Sequence, residues 1–305
     1  MRDEKEDKQM KKDVYDKFYK KVPQDQIERL KRFRSTHEYK HLTVNGAVWK
    51  YISGGQGKEA LLLLTGGTGI GEAMDFVFAP LEAKYQMVSP TYPPVTTMGE
   101  LTDGIVRILE TEGLDRINIL GQSFGGMLAQ VIAHTYPDKV NKLILSHTTT
   151  TSPPVEQTIM FEKLKKIEKK EKVLSFLPFG IFLLLTKWKI SKLTPTNIEE
   201  KEFWDAYFHE MLSNIKKEVW ASLSKCMIDF GQNYTFSRDD LTNWPGKILI
   251  LESDNDPFFH LSERKALKEL YPQAQVHTFR GTGHLTIIVN REEFISVVRS
   301  FLQEK

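Results

Sequence analysis

Four short runs, Ala60–Leu64, Ile117–Leu120, Lys142–Ser146 and Lys247–Leu251, most constrain how this chain folds. Ala60–Leu64 is continuously apolar, and only Asn118 interrupts the apolar residues inside the other three. A strand with one wet face alternates; a strand covered on both faces does not. Tyr85–Ser89 and Gln275–Phe279 add further strands, and helix-like stretches lie between most of them. Strand alternating with helix predicts an α/β architecture, a doubly wound, mostly parallel sheet. Ahead of it, Tyr39–Val44 and Val48–Ile52 flank Asn45-Gly46, a strong hairpin signal.

The alternation breaks between about residues 150 and 242, where long amphipathic stretches rich in Lys and Glu replace the buried strands. This predicts three parts: a charged N-terminal helical arm over 1–36, a core formed by 37–149 and 243–305, and a helical cap over 150–242. The tip of the arm is expected to fray. Within the cap, Val173–Thr186 is the most apolar stretch of the chain, bracketed by lysines such as Lys172 and Lys187. It is too short to span a bilayer and carries Pro178 and Gly180. The plain reading is a cap helix pair with a solvated lysine face. The sharper one is a lid that admits an acyl chain or weakly touches an anionic membrane surface.

A chain of 305 residues with 40% hydrophobic residues and a net charge of +2 has material for a sizeable core. No clustered basic face calls for nucleic acid. Cys226 is the one cysteine, so no internal disulfide is possible. The start, M-R-D-E-K-E-D-K, lacks the apolar segment of a secretory signal, and a cytoplasmic location is expected. No metal and no cofactor are called for, and the sequence is silent on oligomeric state.

The chemistry begins at L-G-Q-S-F-G-G-M-L-A, a G-x-S-x-G placed between a strand and a helix. Ser123 sits at the turn, where Gly121 and Gly125 leave room for a strained backbone. A serine hydroxyl is a poor nucleophile without a base, and the base needs an orienting acid. Acidic residues follow the Lys247–Leu251 strand in E-S-D-N-D-P-F-F, and His284 follows the Gln275–Phe279 strand in R-G-T-G-H-L. Both lie where strands end at the sheet's carboxyl edge, in the order Ser, acid, His. Glu252, Asp254 and Asp256 compete for the acid. Asp256 is favoured because Pro257 fixes its turn; Asp254 is the runner-up. Of the eight histidines, His284 alone has the right order, while His147 and His260 follow strand ends and are candidates to line a pocket. Two backbone N–H groups are expected to face a developing oxyanion, those of Phe124 and of Gly67 in T-G-G-T-G. That loop lacks the G-K-[ST] ending of a phosphate-binding loop.

Together L-L-L-L-T-G-G-T-G, L-G-Q-S-F-G-G-M-L-A, L-I-L-S-H-T, I-L-I-L-E-S-D-N-D-P-F and G-T-G-H-L resemble the α/β-hydrolase superfamily over about residues 40 to 303. The resemblance implies an α/β-hydrolase fold with an eight-stranded, mostly parallel sheet and a helical cap between strands six and seven. Two positions depart from it: Thr65 stands where many relatives have His, and Ser253 where many have Gly. A serine at the turn implies esterases, lipases, thioesterases and some peptidases or C–C hydrolases. The expected activity is that of a carboxylesterase-like serine hydrolase, cleaving ester or related acyl bonds of a small, apolar substrate through an acyl-enzyme on Ser123. The alternatives are a peptidase of the proline-iminopeptidase type, with Glu199, Glu200, Glu202 and Asp205 receiving an amine, and a non-catalytic binding protein of the same fold.

Overall fold

A computed structural model describes residues 14–151 and 200–304, together with positions 162–163, 165–167, 169, 180–181 and 184. Most of the apolar cap stretch Val173–Thr186 therefore lies outside the described residues, as does the tip of the arm, residues 1–13. Among the described residues no helix is long and apolar enough to cross a membrane.

Eight strands form one sheet: β1 (Tyr39–Val44), β2 (Ala47–Gly54), β3 (Glu59–Leu64), β4 (Tyr85–Thr91), β5 (Ile117–Gln122), β6 (Val140–Ser146), β7 (Lys247–Ser253) and β8 (Gln275–Phe279). Their order is β1-β2-β4-β3-β5-β6-β7-β8. Strand β2 pairs antiparallel with β1 and β4, and every other pairing is parallel. The hairpin between β1 and β2 turns on Asn45 and Gly46, both at positive φ (50° and 80°), as a tight two-residue turn requires.

The non-alternating runs have a direct packing cause. Leu62, Leu64, Ile117, Ile119, Leu143 and Leu145 face one core, and Leu61, Leu63, Leu120 and Ile144 face another on the opposite side of the sheet. The first is covered by helices α3 (Met98–Thr111), α4 (Phe124–Thr135) and α7 (Leu261–Leu270), the second by α2 (Asp75–Leu81) and α8 (Arg291–Gln303). Helix α3 starts on a capping box, in which Thr97 and Glu100 each satisfy the other's backbone N–H. Between β6 and β7 lie α5 (Lys201–Asn214) and α6 (Lys217–Asn233).

Strands β5 and β7 each run two residues past their apolar stretch, to Gln122 and Ser253. Ladder bonds need only backbone, and they pair Gln122 with Ser146 and Ser253 with Phe279. Polar side chains are thereby carried into the buried carboxyl edge of the sheet.

The N-terminal arm is more integrated than its charge suggests. Its helix, α1 (Gln24–Thr36), buries Ile27, Leu30 and Phe33, and Tyr19 and Val22 are buried ahead of it. Tyr19, Val22, Ile27 and Leu30 pack with Phe203, Trp204, Tyr207 and Met211 of α5. Arg34 on α1 bonds Glu72 at 2.6 Å and Glu210 of α5 at 3.0 Å, and the Tyr19 hydroxyl donates to Glu210 at 2.5 Å. Truncating Arg34 to Ala leaves two carboxylates facing each other out of water. The expected loss is about 3 kcal/mol of unfolding free energy, read by urea denaturation. An unchanged urea midpoint would contradict this account of the arm.

Asp75, at the start of α2, is pushed up to about 7 by burial and by the Glu72 carboxylate. An unfolded Asp, near 3.8, sheds its proton well before the folded one. Folding stability from this group therefore falls as pH rises from about 4 to about 7. Asp75→Asn is expected to raise the melting temperature at pH 8 by several degrees and to leave it unchanged at pH 4, measured by calorimetry.

Candidate active site

Ser123 occupies the sharp turn from β5 into α4, with φ 54° and ψ −116°. This is a strained conformation for a residue with a side chain, and the surroundings hold it there. The Ser123 N–H donates to Ser146 O at 2.9 Å, and Ser123 O accepts from Gly126 N–H at 2.9 Å and from the Thr148 hydroxyl at 2.7 Å. Gly125 is required by close approach, because a Cβ there would lie 2.1 Å from the Leu64 carbonyl oxygen. The turn thus stands tight against the end of β3.

The loop leaving β3 passes over the serine, since a Cβ on Gly66 would sit 3.3 Å from Ser123 Cβ. The loop is a turn closed by Gly69 N–H on Gly66 O at 3.0 Å, a bond that does not use the Gly67 N–H. The Tyr92 hydroxyl pins it by donating to Thr65 O at 3.0 Å, and Thr65 itself is buried. Phe124 is the first residue of α4, so its N–H has no partner within the helix.

His284 lies in the loop after β8, with Nε2 at 3.0 Å from Ser123 Oγ and Nδ1 at 2.9 Å from Asp256 Oδ2. The other Asp256 oxygen accepts from Phe258 N–H at 2.8 Å and Phe259 N–H at 3.3 Å. Burial alone would raise the Asp256 carboxyl. The hydrogen bond and charge of His284 and the Phe258 N–H outweigh it and hold the carboxyl below its ordinary range. Asp254 is placed differently: its Oδ1 accepts from Gly281 N–H at 2.8 Å and staples the loop. Glu252 is taken up by Lys268 at 2.7 Å.

The two other histidines near strand ends separate clearly. His147 is buried, with its ring 6.0 Å from that of His284. His260 is the N-cap of α7, in a capping box with Glu263. Aromatic rings flank the base, Phe258 at 4.6 Å and Phe259 at 5.6 Å from the His284 ring. Sequence reasoning did not single out Gln122, Thr148 or these two phenylalanines. The signal available was the run S-H-T-T-T-T after β6, whose threonines are all buried.

A serine, a histidine and a carboxylate from three separate strand ends thus stand in one hydrogen-bonded line. The family model for the alpha/beta hydrolase fold matches residues 84–291. The chain belongs to the α/β-hydrolase fold family. This α/β hydrolase is 25% identical over 291 residues to a 2-hydroxy-6-oxononadienedioate/2-hydroxy-6-oxononatrienedioate hydrolase of Burkholderia vietnamiensis, covering 88% of this chain and 96% of the relative. It is 24% identical over 216 residues to a 2-hydroxymuconate semialdehyde hydrolase of Pseudomonas putida, a match over 65% of this chain and 66%, just under two thirds, of that relative. Among solved structures, the enol-lactonase from Burkholderia xenovorans LB400 superposes with a TM-score of 0.69 at 16% identity, over 87% of this chain and 100% of that one. At that identity the likeness is one of fold.

Proposed function

We propose that this α/β hydrolase is a serine hydrolase of carboxylic esters or related acyl bonds, with Ser123, His284 and Asp256 as its catalytic residues. The observation that carries the reading is the unbroken line Ser123 Oγ, His284 Nε2, His284 Nδ1 and Asp256 Oδ2, with gaps of 3.0 and 2.9 Å. His284 takes the Ser123 proton as Oγ attacks the acyl carbon, and Asp256 accepts the Nδ1–H and stabilises the imidazolium. The carbonyl oxygen becomes an oxyanion facing the N–H groups of Phe124 and Gly67, at the positive end of α4. His284 returns the proton to the leaving group. Water, activated by the same imidazole, then releases the acyl group from Ser123.

The surroundings favour a neutral, apolar substrate. Phe258 and Phe259 flank His284, and Tyr92 packs against Phe124 at 5.6 Å. Among the described residues, Lys163 is held by both Glu263 oxygens, and Arg264 by Glu252 and the Asp254 carbonyl. Of the four acids of the peptidase alternative, Glu199 lies outside the described residues and two others are ion-paired. Glu200 is bonded by Arg29 at 2.5 and 2.7 Å, and Asp205 by Lys201 at 2.5 Å, so neither is offered to a substrate amine. A C–C hydrolase reading draws on the relatives' names.

A chain-length series of p-nitrophenyl esters, run beside a dienoic ring-fission product, separates these readings. The expected result is measurable ester hydrolysis, with kcat/KM higher for butyrate to octanoate than for acetate by about tenfold, as two or more buried methylenes supply. Equal or better hydrolysis of acetate would remove the apolar acyl site. Turnover of the dienoic substrate with negligible ester hydrolysis would replace the ester reading with the C–C one.

A further inference from the structure

His147 follows β6, is buried, and lies outside the hydrogen-bonded line described above. Its backbone adopts φ 44°, so two neighbouring parallel strands, β5 and β6, are each followed by a non-glycine residue at positive φ. Such strain persists where the surroundings enforce it. Here the His147 N–H donates to Leu251 O at 2.8 Å, and both ring nitrogens are bonded: Nδ1 to Ser146 Oγ at 3.0 Å and Nε2 to Thr286 Oγ1 at 2.7 Å. Thr286 opens the single helical turn Thr286–Val289, two residues after His284.

We propose that His147 is a positioning residue for the hydrolytic reaction: its two ring nitrogens tie the end of β6 to Thr286 and so hold the His284 loop at its working distance from Ser123. The proposal rests on the serine-hydrolase reading.

Proton bookkeeping fixes how the tie works. The His284 carbonyl can only accept, so the Gln122 amide nitrogen faces it, at 3.3 Å. The Gln122 oxygen then faces Ser146 and accepts its hydroxyl proton at 2.5 Å. Ser146 has no second proton to give, so His147 must carry a proton on Nδ1 and donate it to Ser146 Oγ. In the neutral ring Nε2 is an acceptor, and the Thr286 hydroxyl donates to it at 2.7 Å in preference to the Gly283 carbonyl oxygen at 3.1 Å. Thr286 has then spent its proton, so Thr282 donates to it at 2.6 Å, while Ser253 on β7 gives its own proton to Asn255 Oδ1 at 2.8 Å. The same Asn255 oxygen accepts from Gly283 N–H at 2.8 Å. The His284 loop is therefore held through Gly283, Thr282, Thr286 and its own carbonyl.

Neutrality is part of the function. Burial first, then the nearby His284, push the His147 imidazole down to about 3. The ionisable groups facing it are His284, Asp256 and Arg264. A charged ring 6.0 Å from His284 would oppose the imidazolium that forms there during the reaction.

The test uses the rate at which a fluorophosphonate labels Ser123, with p-nitrophenyl ester kinetics beside it. His147→Phe keeps the ring and removes both bonds; Thr286→Val, a milder change, removes only the hydroxyl. Each is expected to lower the maximal labelling rate and kcat about ten- to hundredfold, with KM within about twofold, as a displaced base would. The double variant is expected to lose clearly less than the product of the two single losses, because both break the bond between His147 and Thr286. His147→Gln, whose amide can still accept from Thr286, recovers most of the rate. Imidazole nitrogen NMR of the wild type should find His147 protonated on Nδ1 alone from pH 5 to 9. Wild-type rates in Thr286→Val, multiplicative losses in the double variant, or a His147 ring that titrates in that range would overturn the proposal. Wild type that is never labelled would overturn the hydrolase reading beneath it.

Discussion

Replacing Ser123 by Ala is expected to lower kcat/KM for a p-nitrophenyl ester by about ten-thousandfold to a millionfold while leaving the fold and melting temperature in place. In the proposed reaction the hydroxyl is the attacking group, so its loss removes the acyl-enzyme route altogether. The activity expected to remain is what the proposed oxyanion donors, the Phe124 and Gly67 N–H groups, and substrate binding supply. Alanine also relieves little of the strain at φ 54°, because it keeps a Cβ. Circular dichroism and thermal melting of the variant check that chemistry, and not folding, is lost. A variant retaining a tenth of the wild-type rate would place the nucleophile elsewhere.

Asp256→Asn should come next in effect, lowering kcat about ten-thousandfold. The amide is nearly isosteric, so the Phe258 and Phe259 N–H bonds to the side chain can remain. What it removes is the negative charge beside His284 and the preference for a proton on Nδ1. Asp254→Asn is the matched control. Its amide oxygen can still accept from Gly281 N–H, and its expected cost is within about threefold. Reversed effects in the two variants would reassign the acid. Because the Asp256 carboxyl is held below its ordinary range, its own titration should not limit activity above about pH 4.

Much of this was legible in the chain because burial on both faces of a sheet forces continuous apolar runs. Leu61 to Leu64 are all core, divided between two sides. The candidate site was legible because the fold gathers strand ends at one edge, so a serine, an acid and a histidine distant in sequence share an address. The choice of Asp256 over Asp254 followed from a proline-fixed turn, and the geometry assigns the two different partners. The burial of the arm was less legible. Ile27, Leu30 and Phe33 are spaced on one helix face, but the surrounding charge hides them until α5 supplies a surface. The network through His147 was illegible for another reason. Polar residues past the apolar part of a strand look like loop, and only the ladder pairing of Gln122 with Ser146 puts them in the interior.

The most direct test of the account is active-site labelling by a fluorophosphonate, followed by mass spectrometry of the modified peptide. The account predicts one adduct per chain, on Ser123 in the wild type, with none in Ser123→Ala. Folded wild type that stays unlabelled, or a Ser123→Ala variant labelled at the wild-type rate, would contradict it.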